Sequence, residues 1–139
     1  MVTRVRDIMT SDPAIVETIE TVSRAARRMA SEVVGSLPIE GEDHKLKGVL
    51  TDRDIVVKVL AEGKDPVAIH AGELAQDDVV SVGPDEDVSV ALEKMSRHRL
   101  RRLPVVQEEE LVGIVAQADA ARELSDADVG NTVENISRD

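Results

Sequence analysis

Gly48-Val49-Leu50-Thr51-Asp52-Arg53-Asp54 is written a second time, altered, as Gly113-Ile114-Val115-Ala116-Gln117-Ala118-Asp119. On the N-terminal side of these stretches, Asp7-Ile8-Met9, Val16, Glu20, Val22, Met29 and Leu37-Pro38 recur as Glu73-Leu74-Ala75, Val82, Glu86, Val88, Met95 and Leu103-Pro104. The offset is 66 residues and falls to 65 by the two glycines, so one residue was lost in the loop between. A repeat of this size is too long for a solenoid unit and too short to bury a comfortable core alone. The pattern therefore predicts two copies packed together, with a site where they differ.

Each copy carries its own punctuation. Asp12-Pro13 is a turn signal after a polar lead-in at 4–11, and Ala14-Ile15-Val16 reads as a short strand. Val22, Ala25, Ala26 and Met29 share one helical face over about 21–33, with Gly35 just past the end. Leu37-Pro38-Ile39 is a brief strand that its proline confines to an edge or a strand start. Leu46–Leu50 follows as the return strand, and a second helix runs from Asp52 to Glu62 and stops at Gly63. The second copy predicts strand Val79–Val82, helix Val88–Arg97, strands Leu103–Val106 and Leu111–Val115, and helix Gln117–Leu124. The expected class is α+β, as two β-α-β-β-α repeats. They span 4–62 and 71–124, with a connection at 63–70 and a polar tail at 125–139.

Composition excludes several functions. The chain has 139 residues, 42% of them apolar, yet no Phe, Trp or Tyr, so the core must be aliphatic. Without rings to stack on bases, and with a net charge of −11, it has neither usual means of holding nucleic acid. The acidic balance equally argues against an anionic membrane surface. With no cysteine there is no disulfide, thiolate or Cys-type zinc site. No run approaches the ~18 apolar residues of a membrane span, and no signal-type stretch opens the chain, which reads as a cytoplasmic protein.

The repeated stretch is also where chemistry can sit. Gly48 ends a strand and leaves room for close approach to the backbone. Thr51 offers a hydroxyl at a helix start, where free N–H groups and the dipole favour an anion. Asp54, one turn on, is an acceptor-only carboxylate suited to a vicinal diol. Phosphate on Thr51 and ribose on Asp54 is a coherent pairing, but Thr-x-x-Asp is equally a capping box that needs no ligand. In the helix that follows, Ile55, Val56, Val57, Val59 and Leu60 wrap most of the circumference. The surplus apolar surface meets either the sister repeat or a second copy of the chain.

Taken together, Arg6-Asp7-Ile8-Met9, Leu37-Pro38-Ile39, Gly48–Ile55, Arg101-Arg102-Leu103-Pro104-Val105-Val106 and Leu111–Val115 resemble tandem CBS domains. These are small regulatory modules that commonly bind adenosyl ligands, and the resemblance covers about residues 4–124. It implies two pseudo-symmetric repeats packed through their sheets, with clefts between them. It assigns phosphate to Thr51 and ribose to Asp54, a basic phosphate partner to Arg102 or Arg101, and the adenine to aliphatic surroundings. The second copy keeps Asp119 but has Ala116 in the threonine position, so unequal sites are expected.

The remaining charged and ionisable residues have plainer readings. Arg97, His98 and Arg99 are explained as a positively charged helix end, and Arg101 and Arg102 face opposite ways on a strand. His44, His70 and His98 lack metal spacing, Glu108-Glu109-Glu110 reads as a hairpin tip in water, and no nucleophile–base motif appears. The expected protein is thus a stand-alone, non-enzymatic sensor and homodimer. It binds AMP, ADP, ATP or S-adenosylmethionine, needs no cofactor or metal, and acts on a separate effector protein. The alternative is a dimerisation or docking module whose nucleotide sites have decayed.

Overall fold

In the computed structural model, which describes residues 3–76 and 78–127, helices and strands follow the repeat. The first copy contributes α1 (Val5–Ile8), β1 (Thr10–Ser11), β2 (Val16–Glu17), α2 (Val22–Glu32), β3 (Ser36–Glu40), β4 (Leu46–Thr51) and α3 (Asp52–Asp54). A π-helical turn, Ile55–Leu60, continues α3, and a 3₁₀ turn, Ala71–Leu74, opens the second copy. Then come α4 (Val88–His98), β5 (Arg102–Gln107), β6 (Glu110–Ala116) and α5 (Gln117–Ala127). The last helix takes in the first residues of the predicted tail; the remainder, 128–139, lies outside the described residues.

The contacts define two compact units, and these are not the sequence repeats. One holds residues 14–79 with 109–111; the other holds the described residues of 3–13, 80–108 and 112–127. Each contains one three-stranded sheet, ordered β2-β3-β4 in the first unit and β1-β6-β5 in the second, so the class is α+β. The lead-in at 4–11 is built into the second unit. Val5 N donates to Glu86 O at 2.9 Å, Arg6 N donates to Pro84 O at 2.9 Å, and β1 pairs antiparallel with β6. The corresponding stretch of the second copy is built into the first unit, where Ala71 N donates to Glu20 O at 2.8 Å and Gly72 N to Thr18 O at 3.0 Å. The physical reason is that β6 has an outer edge of N–H and C=O groups that needs a partner, and β1 supplies it.

Both cores are aliphatic. Val16, Leu37, Ile39, Leu50 and Val59 anchor the first; Val5, Val88, Leu103, Val105 and Val115 anchor the second. Helices α2 and α4 each bury three residues at helical spacing: Val22, Ala25 and Met29 in α2, and Val88, Ala91 and Met95 in α4. Side chains cap both, with Thr21 accepting from Arg24 N at 3.2 Å and Asp87 from Ser89 N at 2.9 Å.

Three local expectations are corrected. Pro38 lies in the central strand, not at an edge. Asp52 N donates to Gly35 O, which makes Leu37 opposite Leu50 and Ile39 opposite Gly48 the hydrogen-bonded pairs. Pro38 falls between them, with its nitrogen turned toward the β2 side, where the two residues of β2 reach only Ile39 and Glu40. The residue that ends α2 in the left-handed region is Val33 (φ 56°), not Gly35, which instead lies 3.2 Å (as an added Cβ) from the Asp52 carboxylate. The predicted strand Val79–Val82 reduces to one parallel bridge, Val82 to Val105. Pro84 stands where Thr18 donates to Glu40 O in the first copy, and it has no N–H to extend the ladder. The Glu108–Glu110 hairpin tip is exposed, as expected, and its backbone also pairs with Lys45 and Leu46. Leu46 N donates to Glu109 O at 3.1 Å, and Lys45 bridges Glu110.

Candidate functional site

Strand β4 delivers its last residue, Thr51, as the N-cap of the helix that follows. Thr51 Oγ1 accepts from Asp54 N at 3.0 Å, and Asp54 Oδ2 accepts from Thr51 N at 3.1 Å. This is the reciprocal capping box, so the structural half of the sequence reading is realised. It leaves chemistry over. An accepting Thr51 oxygen keeps its own proton to donate, and the Asp54 carboxylate retains lone pairs beyond the one used by Thr51 N. The second Asp54 oxygen, Oδ1, lies 3.3 Å from Lys58 Nζ, with the aspartate side chain 17% exposed and the lysine 48%. A hydroxyl, a carboxylate and an ammonium therefore meet within two helical turns.

Gly48 has a different reason from the one its sequence suggested. A Cβ there would stand 2.8 Å from Gln76 Oε1, 2.9 Å from Gln76 N and 3.1 Å from Ala75 Cα. The body that approaches this backbone is the chain's own segment, and the Gln76 carboxamide fixes it. Val49 N donates to Gln76 Oε1 at 3.0 Å and Gln76 Nε2 donates to Val49 O at 3.0 Å. Gly113 repeats the device, since a Cβ there would meet Met9 Sδ at 2.8 Å and Thr10 O at 2.9 Å. Sequence reasoning missed Gln76 altogether; its signal, a polar residue at the offset from Thr10, is too weak to read alone.

The helix after Thr51 sorts its apolar residues by the π turn. Ala61 N donates to Val56 O at 2.8 Å and Lys64 N to Val59 O at 2.9 Å, each five residues back. Ile55 and Val59 enter the core at 8% and 0% exposure, while Val56, Val57 and Leu60 remain about half exposed. The matching helix, α5, is α-helical and carries Ala121, Arg122 and Ser125 in those places. The outward apolar face is thus a property of the first copy, not a demand of the fold.

The second-copy residues lie in the other unit. Arg101 and Arg102 are exposed at the start of β5, and Arg101 O accepts from Gln117 N at 2.8 Å. Among the described residues neither guanidinium forms an ion pair. Asp119 is engaged by Arg122, one turn on in α5, and Ala116 offers no hydroxyl. The strongest electrostatic feature lies elsewhere in the first unit. Arg28 holds Glu20 bidentately at 2.8 Å through both nitrogens and also donates to Ile15 O at 2.6 Å. The guanidinium hydrogen bond lowers the Glu20 carboxyl from 4.5 to about 2, against the opposing effect of its burial. Among the described residues no three His, Asp or Glu side chains are placed to hold a metal ion, and no helix is long and apolar enough to cross a membrane.

In each unit a strand runs directly into a helix whose third residue is an aspartate, Asp54 after β4 and Asp119 after β6, which is the arrangement of a repeated α+β module. The family model for the CBS domain matches twice, at residues 5–61 and 71–126, and the chain belongs to that family. It is 47% identical over 122 residues to Hypoxic response protein 1 of Mycobacterium tuberculosis, covering 88% of this chain and 85% of that protein. A crystal structure of Hypoxic Response Protein I with two coordinated zinc ions matches with a TM-score of 0.80 at 46% identity, covering 86% of this chain and 98% of that one. The CBS domain pair of protein MJ0100, in complex with 5′-methylthioadenosine and S-adenosyl-L-methionine, matches with a TM-score of 0.74 at 30% identity. That match covers 92% of this chain and all of the other.

Proposed function

We propose that this protein is a regulatory module, not an enzyme, whose first copy binds an adenosyl ligand at the Thr51–Asp54 helix start. The observation that carries the reading is the pairing of a hydroxyl and a little-exposed carboxylate on one helix start, with spare hydrogen-bonding capacity on both. Thr51 donates to a phosphate and Asp54 accepts from ribose hydroxyls. The binding of adenosyl compounds by the MJ0100 pair supports the choice of ligand class: AMP, ADP, ATP or S-adenosylmethionine. Arg101, Arg102 and Asp119 are the matching candidates of the second unit, where the lack of a hydroxyl at Ala116 makes a weaker phosphate grip. Gly48 serves the site by letting Ala75 and Gln76 brace β4.

The output passes through the exposed Val56, Val57 and Leu60 to a second copy of the chain, and from that homodimer to an effector protein in the cytoplasm. A ligand shifts such packing only by the difference in its affinity for the two arrangements. The test is calorimetric titration of the intact chain with the four ligands, wild type beside Asp54→Ala, with unfolding followed in parallel because Asp54 is half of the cap. Binding should weaken by more than ~1 kcal/mol, since hydrogen bonds to a charged group are worth roughly 1.5–3 kcal/mol. Unchanged affinity in a folded Asp54→Ala protein would falsify the ribose assignment. A second reading, a docking module without ligand, is favoured by one observation: the cap bonds occupy the very side chains the ligand needs. Silence across the panel selects it.

A further inference from the structure

Resting on that reading, we propose that Lys58 is the charge discriminator of the first-copy site, selecting anionic adenine nucleotides over uncharged adenosine and over the sulfonium of S-adenosylmethionine. The two oxygens of the Asp54 carboxylate have different partners. Oδ2 is held by Thr51 N at 3.1 Å, and Oδ1 lies 3.3 Å from the Lys58 ammonium. A ribose diol that donates to this carboxylate competes with Lys58 for Oδ1, because Oδ2 is already held by the backbone. With a neutral nucleoside the ion pair is weakened with no return. With a sulfonium nearby the loss is compounded by like-charge repulsion. A 5′-phosphate reverses the sign. Thr51 Oγ1 accepts from Asp54 N and still has its proton for a phosphate oxygen. The half-exposed Lys58 stem is long and mobile enough to carry its ammonium from carboxylate to phosphate, so the charge stays paired.

The second copy provides an internal contrast. Asp119 is also covered by a cation one turn on, but that cation is Arg122, and Ala116 supplies no hydroxyl to place a phosphate beside it. Hydroxyl, carboxylate and ammonium occur together only at Thr51, Asp54 and Lys58 among the two matching helix starts. Lys58 is thus a specificity-determining residue distinct from the pair that grips the ligand.

The experiment is titration of the full chain with AMP and with adenosine, in wild type and Lys58→Met. Methionine keeps an unbranched apolar stem at this half-exposed place, and thermal unfolding checks that the variant is folded. The expected result is a crossing. Adenosine binds Lys58→Met tighter than wild type, and AMP binds it more weakly, each by about two- to fivefold, the range of an exposed ion pair. S-adenosylmethionine should follow adenosine. Affinities that move in the same direction, or do not move while binding persists, overturn the role of Lys58 and leave the adenosyl reading standing. No binding of any of the three to either protein overturns both.

Discussion

Ala116→Thr tests whether the two copies differ by one hydroxyl. β6 ends at Ala116 and α5 starts at Gln117, just as β4 ends at Thr51 and α3 starts at Asp52. In the first copy the cap makes two bonds, at 3.0 and 3.1 Å. A threonine at 116 has its partner, Asp119, already three residues on. An N-cap side chain is worth about 1 kcal/mol, within a range of roughly 0.5–2. Against this, capping costs at most the exposed Asp119–Arg122 pair, about 0.3–0.5 kcal/mol. The net gain is therefore about 0.5–1 kcal/mol, which for a chain of this size raises Tm by roughly 2–5 °C. Urea and thermal unfolding of Ala116→Thr beside Ala116→Val isolate the oxygen from the added bulk. If threonine is no more stabilising than valine, the α5 start is not capped as the α3 start is, and the equivalence of the two junctions fails. On the proposed function the same variant should also raise the binding stoichiometry for AMP toward two per chain; an unchanged stoichiometry counts against unequal sites.

Two further outcomes follow from backbone and charge. Val33→Gly should stabilise the protein by about 0.5–1 kcal/mol, because a left-handed L-residue costs roughly 1–2 kcal/mol and glycine returns part of this as unfolded-chain entropy. Val33 has φ 56° and is 87% exposed, so little burial is lost; a lower urea midpoint for the variant would contradict the strain. The Glu20 carboxyl, lowered from 4.5 to about 2 by Arg28, contributes stability that is full above about 4.5 and is lost as pH falls toward 2. After allowance for the one-third exposure of Arg28, that contribution is on the order of 2 kcal/mol. Glu20→Gln should flatten this part of the acid limb in unfolding measured across that window, and an acid limb as steep as wild type would show that another group carries it.

How much was legible depends on how far along the chain each signal acts. The repeat, the order of strands and helices, the aliphatic core and the Thr51–Asp54 cap all rest on spacings within one turn or one hairpin, and such spacings are written in the residues themselves. Val22, Ala25 and Met29 could only be one buried helical face. Tertiary structure decided what depends on which distant edge is free. It gave the lead-in with Val5 to the second unit and the Ala71–Gln76 stretch to the first, a choice invisible to local pattern because both stretches resemble each other. It turned Gly48 from an open approach into the seat of Gln76, placed Pro38 in a central strand beside a β2 too short to need its N–H, and made Val33 rather than Gly35 end α2. The pairing of Lys58 with Asp54 belongs to this second class as well, since four residues of spacing allow it but only the positions of both side chains commit them to one carboxylate oxygen.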